Sequence, residues 1–284
     1  MKFNICIIQP KDYVHSMAFL ELAELLLYSL RDLNHNADIH VNKTDPYAKN
    51  ILIGFHLLDI EYINQVPKDT ILVNVEQFLG GIVLTENFHK NFLAWAQSFE
   101  IWDYSYQNID ALKKMGLNNI KYLKLGYQKE LTRITKSEYK DIDILFYGSI
   151  NDRRAKILDQ LKSFGLNVHT IFGVYGKSRD DLIARSKIVL NLHYYDSQIF
   201  EVVRVFYLLC NSAAIIGEIN KTTLITEPFK TAIIAASYED LVETCVQFAQ
   251  NPSLAEAKGS EGFDIFKKYP QKIYTESLLE GLKN

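Results

Sequence analysis

The chain has 284 residues, 48% hydrophobic and 23% charged, with a formal net charge of -3. That length carries one large or two medium domains with a sizeable core, and the composition excludes a disordered chain. The near-neutral, slightly acidic balance gives no global basic field for nucleic acid. The three cysteines, Cys6, Cys210 and Cys245, form no Cys-x-x-Cys pair, so neither a disulfide framework nor a zinc site is expected, and a reducing cytoplasm fits.

The N-terminal run MKFNICIIQP reads as a first strand, Phe3–Ile8, and not as a signal peptide. No segment reaches the roughly 20 apolar residues of a membrane span. Ser16 is a candidate cap for a helix from about Met17 to Leu33. Short apolar runs at Asp38–Val41, Asn50–Gly54, Thr70–Val75, Glu100–Tyr104 and Lys121–Leu125 predict five further strands. Between them, Asp59–Asn64 predicts a short helix or turn. Asn87–Gln97 and Ile109–Met115 predict helices, the latter started by Ser105 or Asn108 and stopped by Gly116. Residues 127–141 are polar and read as a linker or hinge.

The alternation then repeats. Strands are expected at Ile144–Tyr147, Val168–Phe172, Ile188–Leu192, Ala213–Gly217 and Thr231–Ala235. Helices are expected at Arg153–Phe164, Asp180–Arg185, Phe200–Leu209, Tyr238–Gln250, after Leu254, and at Gln271–Leu282. The last of these could cross back onto the first domain. No repeat of 20–50 residues occurs. The expected fold class is α/β, with two Rossmann-like domains facing across a cleft: an N-terminal domain 1–127 and a second domain 128–270.

Ligands of parallel α/β domains lie at the C-terminal ends of the strands, so polar residues there are the candidates. Gly148-Ser149-Ile150-Asn151-Asp152-Arg153-Arg154 follows one strand and opens a helix. Gly148 permits a tight turn, and Ser149, Asn151 or Asp152 can cap. The first-turn N–H groups beside Arg153 and Arg154 suit a diphosphate. The run is neither GxGxxG nor a P-loop. Tyr175 and Gly176 end the next strand in a turn against which a flat base can lie. His193, with Tyr194 and Tyr195, ends a third. Glu201 and Arg204 share a face of an otherwise apolar helix, where a carboxylate can hold ribose hydroxyls and a guanidinium a phosphate. Glu218 is a weaker candidate of the same kind. In the first half, His15, Glu76, Asp103 and Tyr104 fall on one sheet edge. His15 and Glu76 can serve as general base or hold sugar hydroxyls; Asp103 can instead cap the next helix. Each of these positions also has a bland reading as cap, surface pair or packed residue. Asp141-Ile142-Asp143 precedes its strand, which is the wrong end for an Asp-x-Asp metal motif, and no metal site is expected.

FYGSINDRR, KIVLNLHYY and FEVVRVFYLLCNSAAIIGE, with YVHSMAFLE, LIGFH, NVEQF and WDYSYQN earlier, resemble the GT-B glycosyltransferases of the compact bacterial family 4/group 1 type. The resemblance covers nearly the whole chain. It implies an acceptor on the first domain (Asp103 and Tyr104 on that side) and a nucleotide-diphosphate sugar on the second. Ser149, Arg153 or Arg154, and Arg204 would meet the phosphates and Glu201 the ribose. It also implies no cofactor or metal. The implied partners are a nucleotide sugar and a carbohydrate or lipid-linked glycan acceptor in surface polysaccharide biosynthesis, with peripheral membrane association compatible and no nucleic acid. Many retaining members carry two glutamates seven residues apart; here Tyr207 stands at the second, and Asn211 near the usual glycine. If the reaction inverts, His15 or Glu76 is the base. A nucleotide-sugar epimerase or hydrolase of the same fold and a non-catalytic nucleotide-sugar-binding module are the alternatives.

Overall fold

The computed structural model describes residues 1–77, 86–195 and 198–282. The chain divides into two compact units, residues 1–125 with 271–284, and residues 126–270.

Unit 1 is a parallel sheet of β1 (Lys2–Ile7), β2 (Asn36–Val41), β3 (Lys49–Ile53), β4 (Ile71–Asn74), β5 (Glu100–Asp103) and β6 (Ile120–Tyr122), in the order β2-β1-β3-β4-β5-β6. Its helices are α1 (Leu20–Asp32), α2 (Glu86–Ser98), α3 (Tyr106–Lys114) and α10 (Gln271–Leu279). The inner strands are apolar runs because helices cover both faces of a parallel sheet. On one face Leu52, Leu72 and Ile101 pack with Phe55, Phe92, Trp95 and Leu112. The C-terminal α10 packs on α1, where Ser29 Oγ lies 2.8 Å from Thr275 Oγ1 in a buried contact.

The helix expected from Met17 is preceded by a 3-10 turn, Val14–Phe19, and begins at Leu20. Ser16 is not its cap. Ser16 is buried, and its hydroxyl donates to the Ile8 carbonyl at 2.7 Å, holding the chain that leaves β1. Ser105 does cap α3, accepting from Asn108 N at 3.3 Å. Gly116, at φ +89°, ends it.

Unit 2 is a parallel sheet of β7 (Ile142–Tyr147), β8 (Val168–Ile171), β9 (Ser186–Asn191), β10 (Ile215–Glu218) and β11 (Ile234–Ala236), in the order β11-β10-β9-β7-β8. Its helices are α4 (Asp152–Ser163), α5 (Gly176–Arg185), α6 (Val202–Cys210), α7 (Phe229–Ala232), α8 (Leu241–Gln250) and α9 (Pro252–Phe266). The strand expected from Thr231 starts later: Thr231 and Ala232 belong to α7, and only Ile234–Ala236 pairs with β10. Residues 127–141 are tied to this unit. Leu131 is fully buried, and Asn211 Oδ1 accepts from both Arg133 N and Ile134 N at 2.8 Å while Asn211 Nδ2 donates to Leu131 O.

Taken in chain order, each sheet runs second-first-third and onward. The strand order therefore reverses between its first and third strands, β1 and β3 in unit 1 and β7 and β9 in unit 2. The crevice outside the carboxyl ends of such a pair is where doubly wound sheets hold ligands.

Candidate functional site

In unit 2, β7 and β9 end side by side, and their loops bring together residues far apart in sequence. After β7 the chain turns at Gly148, whose φ of +140° and close neighbours demand glycine. A Cβ there would stand 3.0 Å from Arg204 Nη2. Asn151 caps α4 by accepting from Arg154 N at 3.1 Å and donates to Tyr194 O at 2.9 Å, which joins the two loops. Gly148 N–H is taken by Ile171 O. The amides of Ser149 and Ile150, on an exposed turn, make no intramolecular hydrogen bond among the described residues.

The charged groups sort into pairs with one left over. Arg153 makes a bidentate pair with the fully buried Glu218 and lies 4.0 Å over the Tyr238 ring. Arg154 is buried. It donates to the carbonyls of Ser149, Leu192 and His193 and stands 3.3 Å from Glu201 Oε1. Burial, then the neighbouring Arg204, lowers Arg154 to about 10. Glu201 Oε2 accepts from Asn191 Nδ2 at 3.1 Å and lies 3.3 Å from His193 Nδ1. Burial pushes the Glu201 carboxyl up, but His193, Arg204 and Arg154 together bring it below the usual range. Arg204 is the third guanidinium against two carboxylates. Its Nη1 donates to the neutral Asn191 Oδ1 at 2.7 Å, it lies 5.1 Å over the Tyr147 ring, and its Nη2 faces Gly148 without a hydrogen-bond partner among the described residues.

This placement corrects the expectations for this half. Arg153 and Arg154, expected at the phosphates, are both engaged within the chain. Arg153 neutralises a buried carboxylate, and Arg154 clamps the β7 and β9 loops. Glu201, expected at the ribose, stands against Arg154, Asn191 and His193, so both its oxygens have internal partners. His193 is itself buried. Arg204 Nη2 and the Ser149–Ile150 amides are the groups of this edge left without internal partners among the described residues. Tyr175 and Gly176 lie beyond edge strand β8, at the start of α5, with Gly176 at φ +58°. Tyr207 is buried, its hydroxyl donating to Asp180 Oδ2 at 2.7 Å and accepting from Arg133 Nε at 3.0 Å. Asn191, which holds both Arg204 and Glu201, was not expected. Its only signal is a polar residue near the end of the apolar run KIVLNL. Asp141 and Asp143 sit at the opposite end of β7, paired with Arg185 and Lys187. A cavity of about 360 Å³ opens at that same far edge, but Lys140 and Lys187 in its wall are already bonded to Ala184 O and Asp143.

In unit 1 the corresponding edge carries Glu76. Its backbone is pinned. Glu76 N donates to Asn74 Oδ1 at 3.0 Å, and Glu76 O accepts from Asn74 Nδ2 at 2.9 Å and Asn108 Nδ2 at 2.8 Å. Tyr104 OH donates to Val75 O at 3.0 Å. Glu76 Oε1 lies 3.2 Å from His56 Nε2, and burial pushes the Glu76 carboxyl up to about 7. The Tyr13 phenol is raised first by burial and then by the Glu76 charge, and the His15 ring packs edge-on against Tyr13, 5.3 Å between centroids. Asp103 is corrected. It is fully buried and accepts from Asn74 Nδ2, Ser105 N and Asn108 Nδ2, so it organises the Glu76 loop instead of meeting an acceptor. Tyr104 likewise supports that loop through its hydroxyl. His56 was not singled out by sequence reasoning.

Among the described residues no group of three or more His, Cys, Asp or Glu side chains could hold a metal ion, and no helix is long and apolar enough to cross a membrane.

The chain matches no protein-family model. It is 29% identical over 250 residues to the uncharacterised protein L140 of Acanthamoeba polyphaga mimivirus, covering 85% of this chain and 76% of that protein. It is 31% identical over 187 residues to the mimivirus protein R358, covering 63% of this chain and 62% of that one. Two longer mimivirus proteins, L138 and L137, are matched over 17% and 25% of their lengths. A thymidylate kinase of Campylobacter jejuni subsp. doylei is 29% identical over 132 residues, 45% of this chain and 65% of the kinase. Among solved structures, the chain is similar to WaaG, a glycosyltransferase involved in lipopolysaccharide biosynthesis, with TM-score 0.61 and 10% identity over 98% of this chain and 100% of that one. It is similar to the T4 phage BGT solved with UDP-glucose, with TM-score 0.59 and 12% identity over 100% of both chains. It is also similar to Anabaena HepE solved with UDP and glucose, with TM-score 0.59 and 10% identity over 99% of both. Two Rossmann-like units in one chain, matched along its full length by these proteins, give it the GT-B glycosyltransferase fold.

Proposed function

We propose that the chain is a glycosyltransferase that moves a sugar from a nucleotide-diphosphate donor to an acceptor hydroxyl. The observation that carries this reading is Arg204, a guanidinium without a matching carboxylate, aimed at a glycine turn at the switch point of unit 2. A charge-assisted contact there, with the Ser149 and Ile150 amides, suits the diphosphate in the ground state. It suits better still the extra negative charge that the leaving diphosphate gains as the glycosidic bond breaks. In this reading no metal ion is assigned to the leaving group.

Glu76 is the residue assigned to take the proton of the acceptor hydroxyl, since its carboxyl titrates near neutrality. His15, behind Tyr13, is given a supporting place. The acceptor is a carbohydrate of a growing surface glycan. A cavity of about 500 Å³ in unit 1, bordered by Gln9, Lys11, Asn42, Asp59 and Tyr62 over the apolar Leu52 and Leu57, has the size and mixed lining that suit a saccharide.

The test is a release assay. The purified chain is incubated with a panel of UDP-, GDP- and TDP-sugars, with and without glycan acceptors and with duplex DNA as a further acceptor. Acceptor-dependent release of nucleoside diphosphate and a glycosylated glycan are expected. Release without any acceptor would favour a hydrolase, and glycosylated DNA would overturn the glycan assignment.

A further inference from the structure

His56 follows β3 in a 3-10 turn, Phe55–Leu57, reached through Gly54 at φ +87°. β3 and β4 are paired, Ile53 opposite Val73, so the turn after β3 and the Glu76 loop after β4 emerge side by side. The imidazole side chain is only 5% exposed, whereas that of Glu76 is 29% exposed. The rings of Phe19, Phe55 and Phe88 stand 6.1, 6.3 and 6.2 Å from it. Nε2 lies 3.2 Å from Glu76 Oε1, and Nδ1 is buried with no hydrogen-bond partner among the described residues.

We propose that His56 is a positioning residue for Glu76, a neutral imidazole whose Nε2–H donates to the carboxylate, fixing its orientation and favouring its ionised form. The proposal rests on the transferase reading only for what Glu76 then does, namely accept the proton of a substrate hydroxyl.

The tautomer follows from what surrounds each nitrogen. Burial disfavours the charged ring, so one nitrogen carries the only proton. A proton on Nδ1 would be a buried donor without an acceptor, while Nε2 would present a lone pair to a carboxylate. A proton on Nε2 leaves only an unpaired lone pair at Nδ1 and gives the carboxylate a donor, which is the cheaper arrangement. Burial lowers His56 to about 4, in keeping with a neutral ring.

The backbone of Glu76 is held by Asn74 and Asn108. Among the described residues, the Tyr13 phenol feels the Glu76 charge, the His15 ring packs against Tyr13, and Asp103 shares the Asn74 amide with the Glu76 loop.

The experiment follows the Glu76 side-chain carbon by NMR across pH in protein labelled at glutamate carboxyl carbons, assigned by its loss in Glu76→Gln. His56→Phe keeps a ring that suits the Phe19–Phe55–Phe88 box and removes the donor. It should raise the carboxyl midpoint by about one pH unit. His56→Gln can present an N–H near the Nε2 position and should hold the midpoint within about half a unit of the parent. If His56→Phe does not fold, His56→Leu carries the same expectation. A midpoint that stays put or falls in a folded apolar variant overturns the proposal. Because this readout needs no turnover, it separates the two claims. A shifted midpoint in a chain that transfers no sugar contradicts the transferase reading alone. Transfer with an unmoved midpoint contradicts the role of His56 alone. Where transfer is observed, the acid limb of kcat against pH should move up with the carboxyl midpoint.

Discussion

Replacing Arg204 with alanine separates binding from folding in unit 2. The side chain makes one hydrogen bond, to Asn191 Oδ1, and its charge repels the buried Arg154. Its removal relieves that repulsion and leaves Asn191 Nδ2 on Glu201, but it strands the buried Asn191 Oδ1 and takes a favourable charge from Glu201, so stability should fall by about 1–2 kcal/mol. Diphosphate binding should weaken through a separate contact. A charge-assisted hydrogen bond contributes about 1.5–3 kcal/mol, which is roughly a 10- to 150-fold rise in Kd. Titration calorimetry with UDP, GDP and TDP measures this directly, and denaturant unfolding of the same samples gives the stability. Arg204→Lys should fall between the two, because an ammonium supplies the charge without the fork. If the parent binds one of these nucleotides and Arg204→Ala binds it with a Kd within twofold, the leftover guanidinium is not the phosphate contact.

Arg153→Ala should do the reverse. It strands the fully buried Glu218 and should cost about 3–5 kcal/mol in denaturant unfolding, with the loss shrinking when Glu218→Leu is added. Gly148→Ala places a Cβ 3.0 Å from Arg204 Nη2 on backbone that disfavours it, and should lower diphosphate affinity along with about 1–2 kcal/mol of stability, read by calorimetry and unfolding together. Asn211→Ala removes the anchor of residues 131–134 and should destabilise by about 2–4 kcal/mol, seen as a lower thermal midpoint. Glu76 carries a sign in pH. Burial raises its carboxyl from 4.5 to about 7, so the folded chain holds that proton more tightly than the unfolded one. Its contribution to stability is therefore full below pH 4.5 and is lost as pH rises to about 7, a fall of roughly 3 kcal/mol that Glu76→Gln should remove from a stability-versus-pH series.

The strands were legible because a parallel sheet covered on both faces turns them into continuous apolar runs, as in ILFY before Gly148 and KIVLN before His193. Helix starts were less so. Ser16 looks like a cap, but burial turns its hydroxyl to the Ile8 carbonyl. The polar residues at strand ends pointed to the right edge of each sheet, yet the sequence is silent on which charges cancel. Arg153 and Arg154 are neighbours in the chain, but one reaches a carboxylate that ends β10 and the other the carbonyls that follow β9. Only the three-dimensional pairing with Glu218 and Glu201 leaves Arg204 as the guanidinium in excess. His56 was hidden for a similar reason. Its importance lies in facing Glu76, twenty residues away, across adjacent strands.

The most direct measurement is a crystal structure of the chain with UDP or another nucleoside diphosphate that the panel shows to bind. The β-phosphate should lie within hydrogen-bond distance of Arg204 Nη2 and of the Ser149 or Ile150 amide, with Arg153 still on Glu218. A diphosphate seated away from the Gly148 turn, with Arg204 untouched, would contradict the account.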